Sequence, residues 1–416
     1  MTALNAAPAA HCRFCRAELR DVFVDLGMSP LCQKHVNPDE LNCMERFYPL
    51  KVWVCRNCWL VQLEEYVAPK ELFEHYEYLS SYSTSWVEHA RKYAELMTAR
   101  LGLGAQSRVV EIASNDGYLL QHFVAKGIPV LGIEPAANVA ELANSRGVRS
   151  VAKFFGVRTA EEVAGDFGRA DLIVGNNVLA HVPDLHDFVG GMSRLLGERG
   201  VITMEFPHLV RLVEENQFDT IYHEHFSYLS LLVVEQIFRH HGLEVFDVSE
   251  LPTHGGSLRI FAHHVSDSSR SRADVVRELI QREHDKGYAG MDVYRSFEAR
   301  VLETKRKLLE FLIGAKRAGK SVAGYGAPGK GNTLLNYCGI RTDFLDYTVD
   351  ASPLKQGRYT PGTHIPILDP AQIRATRPDY VLILPWNLRR EIAAQAQYIR
   401  EWGGQFVVPI PALEVF

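Results

Sequence analysis

Apolar and polar positions follow one another along the chain in blocks that predict strands and helices in turn. Short apolar runs are each followed by a turn and by a segment whose apolar residues recur every three to four positions. Four of these runs predict buried strands, at residues 107–113, 129–134, 171–177 and 200–206. Such alternation predicts a parallel, doubly wound sheet over residues 106–265, in which ligands bind beyond the carboxyl ends of the strands.

The last third of the chain repeats this α/β pattern after a long charged helix, which we predict at residues 297–319. A strand at 321–326 runs into a glycine-rich turn and a further helix, and later strands are predicted at 346–350 and 379–386. Earlier in the chain, a helical pattern follows the hydroxyl-rich stretch 75–86. That stretch either caps the helix or forms a lid over a ligand, and both interpretations remain open.

Composition narrows the class of protein. The chain has 416 residues, 47% hydrophobic and 23% charged, which is typical of a globular protein with two or three domains. A net charge of -5 without a long basic run argues against a nucleic-acid-binding protein. We expect no membrane span, because no apolar stretch approaches 18 residues, and the N-terminus lacks the pattern of a signal peptide. A cytoplasmic protein is therefore expected.

Six of the seven cysteines lie within the first 70 residues. Two C-x-x-C pairs on separate turns chelate one zinc ion tetrahedrally, and a site closed by four thiolates is structural. A thioredoxin-like redox pair is the alternative, but neither motif has the βαβ context that it requires. The segment between the pairs must be a folded excursion, and its cysteines, Cys32 and Cys43, are alternative ligands. The predicted zinc ligands are Cys12, Cys15, Cys55 and Cys58.

The turn after the first strand of the central domain predicts a nucleoside-binding site. It carries acidic residues and a single glycine, Gly117, and Glu134 ends the next strand about 20 residues later, where it is placed to bind ribose hydroxyls. NAD enzymes and S-adenosylmethionine methyltransferases share this geometry. A loose acidic turn suits a cationic sulfonium with an amino-acid tail better than a pyrophosphate, so S-adenosylmethionine is favoured over NAD or over no cofactor.

A second glycine-rich turn, residues 324–331, matches G-x-G-x-x-G and follows a strand. Its backbone N–H groups and Lys330 predict an anion site. Asp350 lies at about the distance expected of a ribose-binding carboxylate, so NAD in the C-terminal domain is a competing interpretation. Lys330 within the loop instead suits a phosphate of a nucleotide substrate.

Taken together, these motifs resemble the nucleotide-sugar C-methyltransferase family, whose members add branching methyl groups to keto-deoxysugars of antibiotics. The resemblance runs from Cys12 to the C-terminus, and one departure is Ala113, where the family usually has glycine. It rests, in chain order, on the two C-x-x-C pairs, EIASNDG (111–117), FDTIYHEHFSYLS (218–230), THGGSLR (253–259), GYGAPGKGNTLLNYCGI (324–340) and DASPLKQGRYTPGTHIPI (350–367).

The resemblance implies an α/β fold of three parts. These are a zinc-binding N-terminal domain (1–70), a Rossmann-like class I methyltransferase core (71–295) and a second Rossmann-like α/β domain that helps to hold the nucleotide sugar (296–416). It also implies S-adenosylmethionine as methyl donor, a structural zinc ion, and a 4-keto sugar on a nucleoside diphosphate, usually thymidine.

The YHEH stretch, residues 222–225, is where this chemistry would occur. A carbon beside a ketone becomes nucleophilic when a base of near-neutral pKa removes its proton and a donor stabilises the enolate oxygen. By resemblance, His225 is the base, Glu224 the reserve base or orienting carboxylate, and His181 a positioning residue. Tyr222 and Tyr76 are candidate donors to the enolate oxygen. The stretch must form a loop, since on an extended strand Tyr222 and Glu224 would face away from His225.

Further residues are assigned to the two ligands. The methyl donor is assigned Glu111, Asn115, Asp116, Gly117, Glu134 and Asn177, with Glu134 on the ribose hydroxyls and Asn115 and Asp116 near the amino-acid portion. The nucleotide sugar is assigned Tyr325, Lys330, Asn332, Arg259 and Lys355.

Several alternatives stay open. The YHEH stretch has two alternative interpretations. One is a metal site formed by His223 and His225 with Asp219 or Glu224, and the other is a polar turn that caps a helix near Ser230. At the level of function, methylation at carbon 3 leads, with methylation at carbon 5, an NAD-dependent nucleotide-sugar oxidoreductase and a non-catalytic zinc scaffold as alternatives. The protein is expected to be a monomer.

Overall fold

The computed structural model of the protein describes residues 10–73 and 79–416. The strands in chain order are β1 Asp21–Ser29, β2 Tyr48–Val54, β3 Val61–Leu63, β4 Val109–Ile112, β5 Val130–Ile133, β6 Ser150–Val151, β7 Ala170–Asn176, β8 Leu196–Pro207, β9 Ser227–Tyr228, β10 Leu243–Leu251, β11 Ser257–His264, β12 Val322–Tyr325, β13 Thr348–Val349, β14 Ile367–Leu368, β15 Tyr380–Ile383, β16 Gln405–Val408 and β17 Glu414–Val415.

The α-helices are α1 Pro69–Phe73, α2 Thr84–Leu101, α3 Gln121–Val124, α4 Ala137–Ser145, α5 Val157–Asp166, α6 Leu185–Leu195, α7 Leu209–Glu214, α8 Leu231–His240, α9 Asp274–Asp285, α10 Asp292–Arg295, α11 Phe297–Arg317, α12 Gly329–Cys338, α13 Gln372–Thr376 and α14 Arg389–Gln395. Short 3-10 turns include Ser80–Tyr82, Leu179–His181, Phe218–Thr220, Thr253–Gly255 and Trp386–Leu388. No helix in these described ranges combines the length and apolarity needed to cross a membrane.

The chain forms two compact units that do not follow sequence order. The first unit comprises residues up to Leu19, Cys55–His208 and Phe226–Ala289. The second unit comprises Arg20–Val54, Leu209–His225 and Gly290–Phe416. The predicted three-part division by sequence position, at 70/71 and 295/296, stays a prediction.

The first unit contains a seven-stranded sheet in the order β10-β11-β8-β7-β4-β5-β6. All four strands predicted for this region are present as β4, β5, β7 and β8, and these pair in parallel. The expectation of a wholly parallel sheet is wrong, because β11 pairs antiparallel with both β8 and β10. The cause is local: β10 and β11 are joined by the Thr253–Gly255 turn, and a tight turn forces its two strands to run in opposite directions.

Helix α2 covers part of this sheet, as its sequence pattern predicts. Ala90, Tyr93, Ala94 and Met97 recur at helical spacing and are buried in one core cluster with residues of β4, β5 and β7. The Ser83 hydroxyl caps the helix by accepting the Trp86 N–H, and the helix ends at a glycine in the left-handed region.

The second unit contains a six-stranded sheet in the order β14-β13-β12-β15-β16-β17, parallel except for β17. The predicted long helix is α11, and the predicted excursion between the cysteine pairs folds as the antiparallel β1–β2 pair. Phe23 of β1 stacks on Phe297 of α11 with ring centroids 4.5 Å apart. Residues 20–54 therefore share a core with the C-terminal part of the chain.

Candidate active site

Four sulfur atoms meet in the first unit. The Sγ atoms of Cys12 and Cys58 are 3.6 Å apart, those of Cys15 and Cys55 are 3.4 Å apart, and all four lie within 4.8 Å of one another. Tetrahedral zinc with bonds of about 2.3 Å would separate neighbouring sulfurs by about 3.8 Å. The cluster therefore fits a zinc ion, and Cys32 and Cys43 are not part of it.

A glutamine holds this cluster in place. The Gln62 side-chain amide on β3 donates to the Cys12 sulfur at 3.2 Å and accepts the Arg13 N–H at 2.8 Å. Hydrogen bonds to ligand sulfurs orient metal-binding thiolates. The Arg13 guanidinium also donates to the Pro183 carbonyl at 2.9 Å, which ties the first knuckle to the residues that precede α6.

The predicted cofactor turn leaves β4 through unusual backbone angles. Ala113 (φ 57°) and Asn115 (φ 49°) lie in the left-handed region, as does Asn177 (φ 54°) after β7. Non-glycine residues with such angles cluster at ligand sites, where surrounding contacts over-determine them. Gly117 has φ 80°, and a Cβ there would approach Val148 to 2.9 Å, so glycine is required at that position.

The turn is held by polar side chains at the carboxyl ends of β4 and β5. The Glu134 carboxylate accepts the backbone N–H groups of Asn115 and Ala136, each at 3.0 Å. The Asn115 side-chain oxygen accepts the Ser80 N–H at 2.8 Å. Asp116 pairs with Arg146 at 2.7 Å. The structure thus brings the predicted cofactor residues of this turn together in one place.

The residues present fit a cofactor that bears hydroxyl and ammonium groups. Buried oxygen atoms of Ser114, Asp116 and Asn177 have no hydrogen-bond partner within the described protein. Buried polar atoms normally have partners, so these atoms are acceptors available to a ligand. Burial, together with the negative charge of Glu134, raises the pKa of Glu111 well above its ordinary value. Burial also raises the pKa of Glu134. A cationic ligand would favour the ionised forms of both.

The structure contains a buried ion cluster around Glu205 of β8 that was not predicted from the sequence. The Glu205 carboxylate accepts from Arg259 at 2.5 Å, from His89 at 3.0 Å and from the Thr253 hydroxyl at 2.9 Å. Although burial works against the charge, the His89 hydrogen bond and the Arg259 charge hold the pKa of Glu205 at about 2. Arg259, predicted to bind the nucleotide sugar, thus has a carboxylate partner within the first unit. Its role toward substrate stays a prediction.

In the second unit, the YHEH segment forms a turn after the Phe218–Thr220 3-10 turn, in agreement with the expected loop. The rings of Tyr222 and His225 pack against each other with centroids 4.0 Å apart and an angle of 34° between their planes. His225 Nδ1 lies 2.8 Å from the Thr220 carbonyl, which can only accept, so Nδ1 carries the hydrogen. The lone pair of the neutral ring is then on Nε2, which is the arrangement a general base requires.

Glu224 and His223 occupy contrasting surroundings in the same turn. Glu224 is buried, and burial raises the pKa of its carboxyl to about 7, in the range of a proton-transferring group. His223 faces β2: its Nε2 donates to the Pro49 carbonyl at 3.2 Å and its ring packs edge-on against Tyr48. Burial lowers the pKa of His223, so it stays neutral as a packing residue.

The turn is supported by the glycine-rich segment. The Thr333 hydroxyl on α12 donates to the Ile221 carbonyl at 3.1 Å. The Trp386 indole N–H donates to the Asp219 carboxylate at 2.7 Å, and Lys330 lies 4.6 Å from the centre of the Trp386 ring. The two most specific sequence motifs, YHEH and GAPGKG, therefore meet in one unit.

The glycines of that segment serve packing within the protein. A Cβ on Gly324 would approach the Thr348 hydroxyl to 2.6 Å, and one on Gly326 would approach Pro385 equally closely. A Cβ on Gly329 would approach the Cys32 sulfur to 2.9 Å. Asn332 is buried and donates to the Cys32 carbonyl at 2.6 Å. These close approaches explain the G-x-G-x-x-G spacing without a dinucleotide.

Asp350 is likewise engaged by protein groups. Its carboxylate accepts the Ala327 N–H at 2.8 Å, the Ser352 N–H at 2.9 Å and the Lys355 ammonium at 3.3 Å. Lys330 donates to Asn387 at 2.8 Å, and Tyr325 is half-buried at the end of β12. Tyr325, Lys330 and Asn332 thus belong to the glycine-rich segment, and the Lys355 ammonium donates to its Ala327 carbonyl at 3.0 Å.

The two remaining predicted catalytic residues are Tyr76 and His181. Tyr76 lies outside the described residues. His181 ends the Leu179–His181 turn of the first unit and packs edge-on against Phe73. The assigned roles of all these site residues stay predictions.

Comparisons with known proteins agree with the architecture. Three family models match: a zinc binding domain at residues 12–73, a methyltransferase domain at 84–248 and a C-methyltransferase C-terminal domain at 252–411. The C-methyltransferase NovU of Streptomyces niveus is 40% identical over 404 residues, covering 97% of this chain and 96% of NovU.

Solved structures give weaker likenesses. An S-adenosylmethionine-dependent methyltransferase from Clostridium acetobutylicum covers 43% of this chain and 92% of its own, at 12% identity and a TM-score of 0.34. The CcbJ methyltransferase from Streptomyces caelestis covers 42% and 89%, also at 12% identity and a TM-score of 0.34.

The family models and the NovU match confirm the predicted family, the α/β fold, S-adenosylmethionine as cofactor and the structural zinc. The chain belongs to the S-adenosylmethionine-dependent C-methyltransferase family, with a zinc-binding domain, a Rossmann-like methyltransferase core and a further α/β domain.

Proposed function

We propose that this enzyme methylates carbon 3 of a thymidine-diphospho-4-keto-deoxysugar through an enolate. The observation that carries the proposal is the hydrogen bond from His225 Nδ1–H to the Thr220 carbonyl, because it fixes Nε2 as the basic nitrogen. Membership of a C-methyltransferase family supports carbon as the methyl acceptor.

The proton chemistry follows from the turn. His225 Nε2 removes the proton from carbon 3, and the electron pair of that C–H bond moves into an enolate whose oxygen is the former ketone. The Tyr222 hydroxyl is the candidate donor to this oxygen, since its ring lies against His225. Glu224, with its pKa raised to about 7 by burial, serves as the reserve proton acceptor.

Residues of the first unit hold the methyl donor. Glu134 receives the ribose hydroxyls, while Asn115 and Asp116 receive the amino-acid portion. When bound, S-adenosylmethionine would supply the electrophilic methyl group for carbon 3 and a neutral thioether as the leaving group. Lys330, Lys355, Tyr325, Asn332 and Arg259 remain candidates for binding the nucleotide sugar.

The test separates the base from the rest of the turn. His225→Asn and His223→Asn are compared, because the two histidines lie two residues apart and only His225 is proposed as the base. Each enzyme receives the keto sugar and methyl-deuterated S-adenosylmethionine, and mass spectrometry of the sugar records transfer. We expect loss of at least about 100-fold in kcat for His225→Asn and little change for His223→Asn.

Proton exchange supplies a second readout that needs no methyl transfer. In D2O the unmodified enzyme should wash deuterium into carbon 3, and NMR of the sugar also distinguishes carbon 3 from carbon 5. Full activity of His225→Asn would remove this residue as the base. Deuterium at carbon 5 alone would overturn the assigned position, and absence of transfer to any 4-keto sugar would overturn the substrate class.

A further inference from the structure

A cluster of three histidines lies in the first unit and takes no part in the proposed reaction. His186 lies in the first turn of α6, His240 ends α8 and His241 follows it directly. One ring nitrogen from each of the three lies within 4.8 Å of the others. Helices distant in sequence thus bring three imidazole rings together at one point.

Hydrogen bonding fixes the tautomer of one of these rings. His186 Nε2 lies 2.8 Å from the Phe14 carbonyl oxygen. A carbonyl can only accept, so Nε2 carries the hydrogen and the lone pair of the neutral His186 ring is on Nδ1. Histidines that bind metals commonly donate their second ring N–H to a backbone carbonyl in this way.

The lone pair of His186 is directed at a second ring nitrogen. His186 Nδ1 and His241 Nε2 are 3.1 Å apart. Two nitrogens bound to one tetrahedral ion, with bonds of about 2.05 Å, would be separated by about 3.3 Å. The spacing therefore suits a shared ion, and exposure of His240 leaves a side on which water can complete the coordination.

Packing alone accounts for only part of this arrangement. Phe14 contacts the rings of His186 and His240, with centroids 5.5 and 5.9 Å apart, so the three histidines form an aromatic cluster against the first zinc knuckle. Aromatic packing does not require ring nitrogens to converge. A hydrogen bond between His186 and His241 would explain why their two ring nitrogens converge, but not why the His240 nitrogen joins them.

We propose that His186, His240 and His241 form a second metal site for a divalent ion of the later first transition row, such as Zn²⁺, Ni²⁺ or Cu²⁺. Imidazole nitrogen is a preferred ligand of these ions. The site differs from the four-cysteine site in ligand type. Bound metal would join the start of α6 to the end of α8 beside the Phe14 backbone.

Ni²⁺ is the probe for this site. Enzyme purified with its structural zinc is dialysed against Ni²⁺, passed through a desalting column and analysed for both metals by mass spectrometry. We expect about one Ni²⁺ per chain with the zinc content unchanged. His241→Gln and His240→Ala should each weaken Ni²⁺ binding by at least about ten-fold in calorimetry. The exposed His284 on α9 provides the matched control, His284→Ala, which should bind Ni²⁺ as the unmodified enzyme does.

Three outcomes would overturn the site. These are no Ni²⁺ retained by the unmodified enzyme, loss of zinc in step with Ni²⁺ uptake, and equal affinity in His241→Gln and His284→Ala. Zinc content reports folding of the knuckle in each variant, and His240→Ala changes an exposed position. Loss of nickel with zinc retained therefore assigns the effect to the histidines.

Discussion

Asp219 is fully buried directly before the YHEH turn, and Asp219→Asn isolates the effect of its titration on stability. Burial, opposed in part by the Lys330 charge and the Trp386 hydrogen bond, raises the pKa of Asp219 from 3.8 to about 7. That difference corresponds to a cost of about 4 kcal/mol for ionising the folded protein. Asparagine keeps an oxygen to accept the Trp386 N–H but does not ionise.

The sign of the effect follows from proton binding. Between pH 4 and pH 7 the folded protein holds the Asp219 proton and the unfolded chain has lost it, so stability falls as pH rises. The asparagine variant lacks this loss. Its stability relative to the unmodified enzyme should rise by about 2–3 kcal/mol between pH 5 and pH 8. A constant offset from its unpaired amide N–H is expected at every pH.

Urea unfolding at pH 5, 6, 7 and 8, followed by tryptophan fluorescence, measures this difference. Comparing two proteins at each pH cancels the titration of the other buried carboxyls. Asp343→Asn, at an exposed aspartate of the same unit, is the control for removing one carboxylate. A difference between Asp219→Asn and the unmodified enzyme that stays constant across the four pH values would refute the reasoning.

Three further changes test other parts of the structure. Ala113→Gly should raise the free energy of unfolding, measured in urea, by about 0.5–1 kcal/mol. An alanine in the left-handed region costs about 1–2 kcal/mol, and the greater freedom of glycine in the unfolded chain offsets about half of that. A loss of stability would contradict this. Glu205→Gln should lower the free energy of unfolding by about 3 kcal/mol and lower Tm, because it leaves the Arg259 charge buried without a carboxylate. An unchanged Tm would show that this ion cluster contributes nothing to stability. Cys58→Ser should release zinc and expose the knuckle to protease, and metal analysis that still finds one tightly held zinc would exclude Cys58 as a ligand.

The strands of the core could be predicted because they are short, continuously apolar and separated by clear turns. β10 and β11 were missed as a pair, since Leu243–Leu251 and Ser257–His264 mix polar residues into their apolar pattern. Their antiparallel direction depends on a turn whose geometry is not visible in the residue types.

The candidate site could be predicted where its residues form a motif that indicates their chemistry. The cysteine pairs and the YHEH turn belong to this class. Glu205 and His89 were not predicted, because they are 116 residues apart and neither lies in a recognisable motif. The different surroundings of the two histidines in the turn depend on hydrogen bonds to the Pro49 and Thr220 carbonyls. These contacts depend on the folded conformation and cannot be read from the residue types.

The stacking of Phe23 on Phe297 has a consequence for the order of events during synthesis. The ribosome makes Phe297 274 residues after Phe23, which takes roughly 14–55 s at 5–20 residues per second. Until α11 has been synthesised, the β1–β2 pair of the nascent chain lacks this packing partner, and Phe23 is exposed to solvent and to chaperones. The cysteine pairs on either side, at residues 12–15 and 55–58, are complete early. Early zinc capture would hold the two ends of the waiting segment together and reduce the entropy that its later docking must overcome.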